Sequence, residues 1–293
     1  MSQGRFTRTL AIISFVGLTF TFHGFAAAQT PQSTPAQLVN QVVKMELKAA
    51  EQDSSHWMYR QHHMDPQENE VKECVETREG VICRKLEEDG KKLSPQQSSQ
   101  EFKRIEEQLT DREKRRREEK SRKEDAEKAL AMLKMLPSAF IYTYAGGDSC
   151  TTRLKFTPNP NFRPPSREAR VFHEMSGTLI VDKLAKRLVA LQGHLIRNVE
   201  FGAGLLGHLE KGGTFEVRRT NVGDEHWETT LLNVDIHGKA LFFKTINAQQ
   251  HEVTGYFRRV SDDLTLARGV GLLTSPVPTG VPAKEGQALA RSR

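Results

Sequence analysis

The chain has 293 residues, room for one large domain or two small ones, and a hydrophobic content of 37% with a mean hydropathy of −0.56 leaves much of it exposed around a modest core. The formal net charge is +6. Arg5, Arg8, Arg291 and Arg293 sit on terminal segments, and without them the body carries only +2, which excludes a nucleic-acid surface built on excess basic charge.

Residues 1–28 have the layout of a secretory signal. Arg5 and Arg8 form a positive start, Leu10–Phe22 is an apolar run, and Ala26-Ala27-Ala28 is a small-residue cleavage site before Gln29. The alternative is an uncleaved membrane anchor, for which the run is short. With no second long apolar run, the mature protein is expected to be soluble and exported, and periplasmic where the cell has two membranes.

Ala36–Gln52 has apolar residues at helical spacing: Leu38, Val39, Val42, Val43, Met45, Leu47 and Ala50. His56–Met64 alternates, with Trp57 and Tyr59 on one face, and predicts a first strand. His62, His63 and Asp65 suggest a metal, but adjacent residues of a strand point to opposite faces and make poor co-ligands. Glu70–Glu88 reads as a hairpin. A two-residue turn at Arg78-Glu79 sets Thr77 against Gly80 and brings Cys74 opposite Cys83 in a non-hydrogen-bonded pair, close enough for a disulfide in an exported protein. Two free thiols in another register are the alternative. Cys150 is the odd cysteine, either buried or available to another chain.

Ser94-Pro95-Gln96-Gln97 is a helix start with Ser as cap, Pro first and Gln third. A single long charged helix is predicted over 95–136, roughly 60 Å in length, with apolar residues only at its ends. Its middle is a solvated rod or a mobile insertion. Between Glu101 and Lys128 there are 11 basic and 10 acidic residues, so the run is self-neutralising and lacks the excess of one sign that phosphate binding needs.

Short apolar bursts bounded by Gly, Asp, Asn and Lys follow, the pattern of an antiparallel meander. Strands are expected at Phe140–Tyr144, Thr151–Phe156, Val171–Val181, Arg187–Val199, Thr214–Asn221, His226–Ile236, Lys239–Asn247 and Glu252–Val260, with His237-Gly238 as a hairpin turn. A short helix is expected within Asp263–Leu273, and residues 275–293 form a Pro/Gly/Ala-rich tail expected to be disordered. One-sided alternation across about eleven strands predicts an α+β fold: a single domain over 29–274 with one large curved antiparallel sheet, its apolar face covered by helices.

No catalytic constellation emerges. Gly202–Gly207 matches G-x-G-x-x-G, but Lys211-Gly212-Gly213 and a strand follow instead of a helix. The histidines are scattered, and no Ser lies in a G-x-S-x-G elbow. The chain reads as no enzyme, with no cofactor and no metal.

The strand pair Gly177–Leu195 (GTLIVDKLAKRLVALQGHL) and the segment Trp227–Ile246 (WETTLLNVDIHGKALFFKTI) resemble the outer-membrane lipoprotein-sorting superfamily, which includes the periplasmic lipoprotein carrier and a sigma-factor regulatory protein that binds an anti-sigma factor. The likeness covers most of Ala36–Val260. It implies an open half-barrel of about eleven strands with helices lining the concave side, and binding of acyl chains or lipoproteins without catalysis. The charged Thr110–Asp125 insertion departs from the carrier pattern. Trp57, Tyr59, Leu191, Leu195, Phe215, Trp227 and Phe243 are the expected ligand-binding residues, with core packing as the alternative for each. A second reading is an envelope stress-sensing or protein-interaction module that uses the long helix as its contact arm. The expected partners are thus a hydrophobic ligand or an envelope protein, with peripheral membrane contact compatible with either, and no nucleic acid.

Overall fold

The computed structural model describes residues 33–166, 168–201, 207–240 and 249–274. The expected signal segment 1–28, the C-terminal tail, Phe243 and most of the glycine run therefore lie outside the described residues.

The folded unit opens with α1 (Pro35–Gln52), started by a reciprocal cap. Thr34 Oγ1 accepts from Gln37 N–H at 3.2 Å, and Gln37 Oε1 accepts from Thr34 N–H at 2.8 Å. Its buried residues Leu38, Val39, Val42, Val43 and Glu46 recur every three to four positions and form one face. Strands β1 (His56–Met64), β2 (Asn69–Thr77), β3 (Gly80–Glu88) and the two-residue β4 (Lys91–Lys92) follow. The β2–β3 register is the one read from the Arg78-Glu79 turn: Thr77 faces Gly80, Val75 faces Ile82, and Cys74 is disulfide-bonded to Cys83.

The long charged helix is not continuous. It divides into α2 (Pro95–Thr110), capped by Ser94 and Gln97 as expected, and α3 (Arg112–Ala139). Asp111 makes the break. Its N–H closes α2 on Glu107 C=O at 3.0 Å, and its carboxylate accepts from Lys114 N–H at 2.8 Å to open α3. An Asp that bonds backbone two or three residues ahead competes with helix continuation and favours a new start. α3 then passes through Pro137, the expected stop, to Ala139. Its charged middle is not a free rod, because Glu119 and Arg122 lie beside Gly80 at the β2–β3 turn.

The remaining elements are β5 (Phe140–Gly147), β6 (Thr151–Pro158), a 3-10 helix (Glu168–Glu174), β7 (Met175–Asp182), β8 (Leu188–Leu195), β9 (Val199–Phe201), β10 (Gly207–Leu209), β11 (Thr214–Gly223), β12 (His226–Asp235), β13 (Gly238–Ala240), β14 (Gln249–Val260) and α4 (Leu266–Thr274). Two expectations are corrected here. Val171–Glu174 belongs to the 3-10 helix, not to a strand. His237-Gly238 does not close a hairpin: β12 pairs with β11 and β14, while β13 pairs with β10. The chain thus leaves the large sheet at His237 and enters a small one.

The fold is α+β, built on eleven antiparallel strands in the order β4-β3-β2-β1-β14-β12-β11-β8-β7-β6-β5, open at both ends. Strands β13, β10 and β9 form a separate three-stranded sheet. The sheet buries apolar side chains on both faces. One core joins α1 and the end of α3 to β5–β8 through Leu38, Val42, Leu136, Phe140, Phe156 and Leu179. The other joins α2 and α4 to β1–β3 through Met58, Val75, Ile82, Ile105 and Leu273. Trp57 and Met58 are consecutive in β1 and so point to opposite faces. Trp57 is on the α1 side, stacked on His226, and Met58 is in the second core.

Candidate functional site

A cleft of about 680 Å³ runs between the C-terminal half of α1, the end of α3 and the sheet. Its helix side carries Met45, Ala49, Leu130 and Leu133, and its sheet side carries Arg187, Arg219, Trp227 and His226. The β11–β12 turn closes one end. Asp224 and Glu225 both lie in the left-handed region, at φ 49° and 60°, the geometry of a tight hairpin turn that follows strand twist.

Glu46 anchors α1 to the sheet beneath this cleft. Arg187 donates to it twice, Nε to Oε1 at 2.9 Å and Nη2 to Oε2 at 3.0 Å, and Leu188 N–H donates to Oε1 at 2.8 Å. Arg219 Nη1 also donates to Glu46, and its Nη2 donates to the Trp227 carbonyl. Burial alone raises the Glu46 carboxyl. The Arg187 bonds, the Arg219 charge and the Leu188 N–H outweigh it and hold the group below the usual carboxylate range. Arg187 lies 5.7 Å from the centre of the Trp227 ring, so the guanidinium satisfies an acid and an aromatic face together.

A second polar cluster surrounds His226 at the end of α1. His226 Nδ1 is 2.6 Å from Asp53 Oδ2, and Nε2 is 2.7 Å from Glu228 Oε1. Its ring stacks on Trp57 at 4.9 Å. Burial raises Asp53, but its bonds from Ser55 and the His226 charge lower it further. Glu76 accepts from Trp57 N–H at 2.9 Å, and it is pushed up to about 7 by burial, against that bond and with the help of Glu228 and Asp53.

Ser55 lies 3.3 Å from His226 Nδ1, but the two do not form a nucleophile–base pair. Ser55 Oγ is held by Asp53 Oδ1 at 2.6 Å and by Trp57 Nε1 at 2.8 Å, and both imidazole nitrogens face carboxylates. Among the described residues no cluster of three or more His, Cys, Asp or Glu could hold a metal ion. His62 bonds Asn69 and His63 faces Asp65 and Glu252, on opposite sides of β1. Cys150 is free and exposed in the β5–β6 turn.

Of the expected ligand-binding residues that are described, only Trp227 lines the cleft. Trp57 is buried between His226 and Arg259 at its edge. Tyr59 packs on Phe257 with ring centres 5.8 Å apart, and burial raises its hydroxyl. Leu195 is fully buried in the larger core, and Leu191 and Phe215 are half-buried against it. The helix residues Met45, Leu130 and Leu133 and the arginines Arg187 and Arg219 were not singled out by sequence. The arginines carry no local signal, since each is paired with a residue more than a hundred positions away.

Among the described residues no helix is long and apolar enough to cross a membrane. No family model, no curated protein and no solved structure matches this chain.

Proposed function

We propose that this chain is an exported, periplasmic binding protein that shelters the acyl chain of a lipid or lipoprotein and performs no catalysis. The observation that supports the reading best is the two-sided lining of the α1–α3 cleft. Met45, Leu130 and Leu133 offer apolar surface, and Met45 is 39% exposed, so a chain laid there leaves water. Each methylene removed from water contributes about 0.8 kcal/mol. The opposite wall offers Trp227 to the same molecule, with Arg187 and Arg219 both bound to Glu46. The Cys74–Cys83 disulfide is compatible with export.

The test is native mass spectrometry on the chain purified from an exporting host, before and after addition of a fatty-acyl probe. The expected result is a co-purifying lipid or stoichiometric probe uptake, lost in Met45→Glu/Leu130→Glu while circular dichroism is unchanged. A clean apo mass with no uptake by the wild type sinks the reading.

A second reading, an envelope protein-interaction module, is favoured by the first half of α3, where Glu113 and Arg117 are 86% and 78% exposed. Deletion of 112–125 separates the two, since it abolishes partner capture under this reading and leaves probe uptake intact under the first.

A further inference from the structure

A cavity of about 400 Å³ lies between the first half of α2 and strands β1, β3 and β4, with Arg60, Arg84, Leu86, Lys92, Leu93 and Phe102 in its lining. Arg60 stands two residues beyond Met58 in β1 and so shares the face of the second core, opposite to that of the α1–α3 cleft.

Arg60, Glu73 and Arg84 form one cross-strand row: Arg60 is opposite Glu73, and Glu73 is opposite Arg84. Two guanidiniums thus flank one carboxylate, and neither grips it closely. Arg60 Nη2 is 3.3 Å from Glu73 Oε1, and Arg84 Nη2 is 3.6 Å from Oε2. The Nε atoms of both arginines are buried without a hydrogen bond. Arg84 donates no hydrogen bond to any described residue, although its side chain is only 18% exposed. Buried polar groups are normally bonded, and two guanidiniums offer more donors than one shared carboxylate can take.

Aromatic faces hold both arginines in place. Arg84 lies 5.9 Å from the centre of the Phe102 ring, and Arg60 lies 5.1 Å from that of Tyr256. Tyr256 sits at φ 57° where β14 bulges against β1, and the bulge sets its ring beside Arg60. The neighbouring charges cancel. Lys85 is taken by Glu70 and Glu88, Glu101 by Arg104, and Lys92 stands opposite Glu87. Glu73 offsets one of the two guanidiniums, so one positive charge remains uncancelled.

We propose that this cavity binds a singly charged phosphate diester, either a small soluble ester or the headgroup of a phospholipid. The two non-bridging oxygens of a diester each accept from one guanidinium, and bonds between charged partners of this shape are strong. Leu86, Leu93 and Phe102 offer apolar surface to the rest of the ligand. The sheet separates this site from the α1–α3 cleft, so it stands or falls independently of acyl binding there.

Isothermal titration of the chain from an exporting host with glycerophosphoglycerol, a soluble diester, is expected to show one saturable site. Arg84→Gln and Arg60→Gln each remove charge-assisted donors and weaken binding about tenfold. Glu73→Gln removes the internal competitor for both guanidiniums and strengthens binding, a gain that a misfolded variant cannot give. Circular dichroism checks the fold of each. Flotation with phosphatidylglycerol vesicles identifies the source of the phosphate. Capture of the wild type and not of Arg84→Gln assigns the lipid headgroup, and titration without capture assigns the soluble ester. No saturable uptake together with no vesicle capture, an Arg84→Gln variant that binds like the wild type, or a folded Glu73→Gln variant that binds more weakly overturns the proposal. Equal uptake of acetate overturns phosphate as the group bound.

Discussion

Arg187 grips Glu46 through two parallel bonds of 2.9 and 3.0 Å across 141 residues of sequence, and both side chains are buried. This pair fastens α1 to the start of β8, and Arg219 from β11 completes it. Removing one partner of a buried pair leaves an uncompensated charge and costs about 3–5 kcal/mol. Glu46→Ala is therefore expected to lower unfolding free energy by about that amount in urea titrations. Glu113→Ala, which breaks the exposed pair with Arg117, should cost less than about 0.5 kcal/mol. Equal effects would mean that Glu46 is not the anchor. The folded carboxyl is depressed, so the Glu46 contribution is present above the ordinary carboxylate range and is lost as pH falls through the folded value.

Glu76 has the opposite dependence. Its pKa rises from 4.5 to about 7 in the folded protein, chiefly through burial. Between those values the unfolded chain ionises first and the folded chain binds more protons, so this group's contribution falls as pH rises across that window. Glu76→Gln keeps an acceptor for Trp57 N–H and cannot ionise. The variant and the wild type should match near pH 4, and the variant should be the more stable at pH 8, by at most roughly 3 kcal/mol. Urea midpoints for both across pH 4–8 check this. A difference that stays constant with pH refutes it. Glu46 titrates in both proteins and cancels from the comparison, whereas the Asp53 and Glu228 charges that help raise Glu76 are part of the effect measured.

The local parts of the fold were legible because their signals are local. The Arg78-Glu79 turn sets every cross-strand pair out to Cys74–Cys83, and Ser94 announces its helix by its own bonds. Asp111 was read through as part of one charged helix, because helix propensity on both sides hid a residue able to restart the chain. His237-Gly238 had hairpin chemistry, yet β14 takes the place beside β12, a long-range pairing that no turn signal reports. The cleft was legible only at Trp227. Its arginines look like any charged residue until folding brings Glu46 under them, and the leucines of α3 could have faced any apolar surface.

The disulfide closes a short loop, its cysteines nine positions apart. Closing a loop of that size restricts the unfolded chain by about 2–3 kcal/mol. Cys74→Ala/Cys83→Ala should lose that stability and keep the eleven-stranded sheet, since β2 and β3 remain paired along the rest of their length. Thermal melts with and without reductant provide the check: reductant should lower the wild-type midpoint towards that of the variant and leave the variant unmoved. A wild type indifferent to reductant would show that the two thiols are not joined. Cys150→Ser should melt like the wild type under both conditions, because Cys150 is exposed in a turn.

Gly193 is required by a ring. It sits in β8 between Gly177 of β7 and Phe215 of β11 in one cross-strand row. A Cβ at Gly193 would stand 2.6 Å from Cε1 and Cζ of Phe215, closer than non-bonded carbons tolerate, and 2.8 Å from the backbone oxygen of Ser176 in β7. The missing side chain lets the Phe215 ring lie across the sheet and reach the larger core. Gly193→Ala must therefore move the ring or bend the strand, an overpacking cost of about 1–3 kcal/mol. Phe215→Leu removes the obstructing ring edge, so Gly193→Ala should cost less in that background than in the wild type. A double-mutant cycle by urea unfolding measures the difference directly. Strict additivity would mean that Phe215 does not set the demand for glycine at this position, and that the β7–β8 backbone contact alone does.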